Sequence, residues 1–246
     1  MRIEQATPVA ITDLWGSVES RVRGAKSIEG AAQEFAKGLH QRFAESVALA
    51  RVFFTVRFGS LPEERQDFVR ALARPSGAVV DLKVTTPVLS LVGSCGDEEE
   101  WSALRESRGH LGIPLISSDF VASIPMISRL LRELGVPLDW IDTHDASVIQ
   151  KTLGESSSLF FVDDAGQATD DRGRKIIAAQ DFVSAHEIQS VFGIGGAYAE
   201  GEILVMVVFN HDRFGRESAE QFLPLATLFK SNTERLVAQR RIFDGD

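Results

Sequence analysis

The chain has 246 residues, 44% of them hydrophobic and 25% charged, with a formal net charge of −9 and a single cysteine. That size and mix fit one large or two small globular domains able to bury a core. The acidic balance argues against non-specific nucleic-acid binding, and one cysteine excludes an internal disulfide and a cysteine-built zinc site. No apolar run follows a basic start, and stretches such as "EILVMVVF" are far shorter than the roughly 20 residues that span a bilayer. The expectation is a cytoplasmic protein with no secretory signal and no membrane contact.

Residues 1–26 show little periodicity and read as a flexible lead-in, leaving 27–240 as a single domain. In "SIEGAAQEFAKGLHQRF", Ile28, Ala31, Ala32, Phe35, Leu39 and Phe43 form one helical stripe. "ARVFFTVRF" follows as a strand rich in β-branched and aromatic residues. "SLPEERQDFVRALA" reads as a helix, with Ser60 and Glu63 at capping-box spacing. "TPVLSLVGS" is a second strand, and "DEEEWSAL" a short helix with acids at the positive end of its dipole. "IPMISRLLRELG" places Ile127, Leu130, Leu131 and Leu134 on one face, with Gly135 as a stop, and "DASVIQKTLG" repeats that plan.

From Ser158 the pattern changes to an apolar strand, "SLFFV", an Asp/Gly-rich connection and a short helix in "AAQDFVSAHEI". "QSVFGIGGAYAEGEILVMVVF" reads as two strands joined at Gly201. "SAEQFLPLATLFKSNTERLV" closes as a helix with Ser218 and Gln221 at capping-box spacing, a buried stripe of Phe222, Leu225, Phe229 and Leu236, and a kink at Pro224. Hairpin-linked strands point to an α+β fold whose sheet is largely antiparallel.

The run from "VSAHEIQSVFGIGGAYAEGEILVMVVFN" to "ESAEQFLPLATLFKSNTERL" resembles the C-terminal half of a GAF domain. The helix at 27–46 and the strand at 50–58 look like that family's opening. The middle, about 60–145, is longer than the family needs. The resemblance implies about six strands with helices on one face, adjacent N- and C-terminal helices and a small-molecule pocket on the other face. It also implies a sensory role in bacterial-type signalling, a homodimer through the terminal helices and a downstream signalling protein as partner. No cofactor is indicated, and the ligand is not named.

The residues add candidates of their own. Arg105, Arg108 and His110 sit in the glycine-bearing loop "ESRGHLGIPL", where bidentate arginines suit an anionic metabolite; the bland alternative pairs them with Asp97–Glu100. Trp140 and Tyr198, the only tyrosine, are candidate pocket walls. Cys95 stands near a strand-to-helix turn, but the four acids after it oppose a thiolate, so a buried apolar role is expected. "DDAGQATDD" lacks calcium-loop spacing and reads as a turn, "GIGGAY" fails the dinucleotide fingerprint, and the five histidines show no metal spacing. Two alternatives stand beside the non-catalytic sensor. One is an enzyme using the Arg105/Arg108/His110 loop as substrate anchor. The other is an interaction module whose pocket is filled by Phe53, Phe58, Phe160, Phe161, Phe192 and Phe209.

Overall fold

The computed structural model describes residues 1–104, 111–143 and 157–245. Its centre is strand β1 (Val47–Arg57), paired on one side with β2 (Pro87–Gly96) and on the other with β6 (Ile203–Asn210). β3 (Gly112–Pro114) lies outside β2, while β5 (Ser190–Ala197) and then β4 (Ser158–Val162) lie outside β6. The result is a six-stranded sheet in the order β3-β2-β1-β6-β5-β4, every neighbouring pair antiparallel. The α+β expectation therefore holds.

Period-2 patterning decides what each face receives. Along β6, Leu204, Met206 and Val208 enter one core, and Ile203, Val205 and Val207 enter the other. A strand apolar on both sides must be covered on both sides.

The first face carries three long helices: α1 (Pro8–Gly24), α2 (Ile28–Arg42) and the closing helix Leu223–Ala238. Phe35 of α2 meets Phe229 of the closing helix edge-on at 5.7 Å between ring centroids. The terminal helices are adjacent, because the Arg235 guanidinium donates to the Arg23 and Ala25 carbonyl oxygens at 2.6 and 2.7 Å.

The middle segment closes the second face. Along the chain come α3 (Glu63–Ala73), which packs on β3 with Val69 in the first core, then α4 (Glu99–Ser102), α5 (Ser118–Ala122), α6 (Pro125–Glu133) and α7 (Trp140–Thr143), of which α6 and α7 enter the second core. After β4 come α8 (Gln180–Ala185) and, past β6, α9 (Arg216–Glu220), so the closing helix is α10. α6 ends as its sequence indicated: Gly135 has φ +85°, and the Val136 and Gly135 amides donate to the Leu131 and Arg132 carbonyls. That is a Schellman stop, which requires a residue tolerant of left-handed backbone.

Three local expectations fail for identifiable reasons. The N-terminal stretch is a packed helix rather than a flexible lead-in. Thr7 caps it, Pro8 opens it, and Ile11, Leu14, Trp15, Val18 and Val22 make a buried stripe. The Ser60/Glu63 capping box is absent because Pro62 occupies the N-cap of α3. Pro224 does not kink the last helix but sits in its first turn, where no amide donor is needed, so the Ser218/Gln221 segment forms the separate helix α9. The "DASVIQKTLG" helix falls wholly outside the described residues.

Candidate functional site

β1 carries one side chain that breaks its apolar pattern. Arg51 points to the second face, where it lines a space of about 50 Å³ with Phe53, Leu89, Ile127, Leu130 and Val207. An arginine on the central strand beneath a helix is costly to keep away from water, and burial pulls its guanidinium below the usual arginine range, to about 10. Directly across the β1–β2 ladder stands Ser94, 0% exposed, whose hydroxyl has no hydrogen-bond partner among the described residues. Opposed positions on neighbouring strands share a face, so Ser94 and Arg51 lie on the same side of the sheet.

The space is small. About 50 Å³ suits one or two waters, whereas sites for metabolites are typically several hundred Å³. Its roof is α6, through Met126, Ile127 and Leu130. Of the six phenylalanines considered as pocket filling, Phe53, Phe160 and Phe209 do face this side, while Phe58, Phe161 and Phe192 belong to the helix-side core.

The candidates drawn from the sequence are distributed differently. Arg105, Arg108 and His110 lie outside the described residues. Trp140 is buried on the second face at the start of α7. Tyr198 is buried on the first face, edge-on to Phe54, with its hydroxyl 2.7 Å from that of Thr233 on α10. Trp140 and Tyr198 are thus on opposite sides of the sheet and cannot line one pocket. Arg51 went unnoticed, although a lone cation in step with Leu49 and Phe53 was the available signal.

The remaining motifs resolve into structure. Asp164 accepts from the amides of Gly166 and Gln167, and Asp170 from those of Arg172 and Arg174, so these acids organise turns. "GIGGAY" forms the second half of β5 and the residue that follows it. Cys95 lies within β2, facing the helix side, and is 9% exposed. Among the described residues no group of three or more His, Cys, Asp or Glu side chains is arranged to hold a metal ion.

No protein family matches the chain by sequence, and no curated protein does. Among solved structures it is similar to the GAF domain of a phosphoenolpyruvate-protein phosphotransferase from Acinetobacter. The identity is 13% and the TM-score 0.46, over 94% of this chain and 98% of that one. The corresponding domain from Coxiella burnetii gives 10% identity and a TM-score of 0.48, over 96% and 99%. A segment of a methyl-accepting chemotaxis protein, residues 122 to 287, gives 14% and 0.47, over 92% and 99%. The sheet itself has six antiparallel strands in the order β3-β2-β1-β6-β5-β4, with the terminal helices side by side on one face.

Proposed function

We propose that this chain is a non-catalytic regulatory domain that takes a small anionic molecule between the β1/β6 face and α6, with Arg51 as its charged anchor. The observation that carries the reading is a largely buried guanidinium lining an otherwise apolar space on the central strand. Apolar walls with a few fixed polar groups are the usual build of a ligand site. Arginine recognises carboxylates and phosphates through a planar fork of donors. The Ser94 hydroxyl across the ladder, unpartnered among the described residues, adds a second polar contact.

At about 50 Å³ the space admits a metabolite only if α6 lifts away from the sheet. Binding would therefore favour a conformer with α6 displaced, a population shift that a partner reads. A downstream signalling protein and a homodimer through α1 and α10 complete the proposal, since those two helices share one layer. The same small volume favours a second reading, a module whose interior is filled by Phe53, Phe160 and Phe209 and which binds nothing there.

Native mass spectrometry of the purified chain, followed by thermal shift with a panel of small carboxylates and phosphates, tests the two. A retained small mass, or stabilisation by an anion that Arg51→Met abolishes, supports the sensor. No retained mass and no shift with any anion leaves the filled module as the function.

A further inference from the structure

β4 ends the sheet on its side, and among the described residues no strand pairs with its far edge. An edge strand presents backbone donors and acceptors to any chain able to add to it, so folded proteins blunt such edges with charges, prolines or bulges, or cover them. "SLFFV" carries no charge, no proline and no bulge. Its protection comes from elsewhere in the chain.

In an antiparallel ladder alternate residues turn both backbone groups toward the same neighbour. Leu159 and Phe161 turn theirs away from β5, and side chains take them up. The Phe161 amide donates to Glu133 Oε2 at 2.9 Å, and the Phe161 carbonyl accepts from Arg129 Nη2 at 2.8 Å. The Leu159 carbonyl accepts from Arg216 Nη2 of α9 at 3.1 Å. Arg129 and Glu133 lie one turn apart on α6, and Arg129 Nε donates to Glu133 Oε1 at 2.7 Å. The linked pair offers Phe161 an acceptor and a donor side by side, as a residue of a neighbouring strand would. Arg216 stands 4.0 Å from Glu133 and closes the set.

We propose that Arg129, Glu133 and Arg216 form a clamp over a docking surface, and that the partner fitting this surface is β4 of a second copy of the chain. The two strands run antiparallel about a two-fold axis at Phe160. Leu159 of each copy then faces Phe161 of the other, and each such pair exchanges both of its backbone bonds. The groups the clamp holds are the ones this pairing uses. It also carries Arg216, which sits at Leu159, to the Glu133 that sits at Phe161 of the other copy, so opposite charges meet along the seam. A side-chain cover of this kind opens readily, because the Arg129, Glu133 and Arg216 side chains are 34%, 25% and 51% exposed and water competes for each bond.

α6 also roofs the space at Arg51, so lifting it would withdraw Arg129 and Glu133 together. That trigger rests on the regulatory reading above; the clamp and its partner do not.

The test uses the full chain with no ligand added, so its result is separate from whether an anion binds at Arg51. Sedimentation velocity over a range of concentrations compares the wild type, Arg129→Ala/Glu133→Ala and Glu133→Gln, and hydrogen exchange is followed along β4. The double variant should associate one step beyond the wild-type state as concentration rises. When dilute, its Phe161 amide should exchange about fivefold faster than in the wild type, as one lost hydrogen bond allows. When concentrated, that amide should become protected. Glu133→Gln keeps an acceptor for the amide and should stay in the wild-type state. Unchanged exchange in β1 and β6 shows that the fold is intact; if the double variant does not fold, Arg216→Ala serves, and should associate more weakly by the same edge. A folded variant whose state does not change with concentration, or one that associates without protecting β4, overturns the proposal.

Discussion

The hydroxyls of Tyr198 and Thr233 lie 2.7 Å apart in a fully dry setting, and this bond joins the end of β5 to the middle of α10. Thr233 also donates to or shares its hydroxyl with the Phe229 carbonyl at 2.7 Å, so it keeps a partner if the tyrosine oxygen is removed. Tyr198→Phe should therefore cost only about 1 kcal/mol, the net value of one buried hydrogen bond. Urea denaturation reads this directly. A loss several times larger would mean that Tyr198 does more than tie the hairpin to the helix.

Gly93→Ala should be worse than a typical surface change. The added methyl would meet the Ala32 backbone, which is part of a helix and cannot swing aside as a side chain could. Overpacking of this kind costs about 1–3 kcal/mol. Thermal unfolding of the variant should show a clear drop in Tm.

Glu202, at the β5–β6 turn, is half-buried, and burial raises its carboxyl above the usual 4.5. The folded state then holds its proton more tightly than the unfolded chain does, so stability is lost as pH rises from 4.5 through the folded value. Glu202→Gln should stabilise the protein at pH 7 and give no gain below the unfolded value. Tm measured across that range for both proteins checks the sign.

Arg51 carries the ligand proposal. If an anion stabilises the protein, saturation at a hundredfold excess over Kd is worth about 2.7 kcal/mol in unfolding free energy. Arg51→Met should remove that gain entirely. Arg51→Lys, which keeps the charge but not the fork, should retain only part of it. Equal stabilisation of wild type and Arg51→Met by the same anion would place the binding site elsewhere.

Much of the architecture could be read along the chain. The alternation in β1 and β6, the α2 stripe from Ile28 to Leu39 and the Gly135 stop are local patterns with periods of two or 3.6 residues, and each produced the element expected. Where the local reading failed, a proline decided the boundary, at Pro62 and Pro224, or a stripe of five well-spaced residues from Ile11 to Val22 was passed over.

The sequence by itself determined an antiparallel sheet with helices against it, because backbone geometry repeats over a few residues and the spacing of apolar groups records it. Only the tertiary structure decided that Arg51 sits inside against α6. It also decided that His40, Asp97 and His211, drawn from α2 and the ends of two strands, meet at one corner. Such meetings depend on strand register and on how closely α2 can approach β2 at Gly93, and no spacing within a single element encodes either.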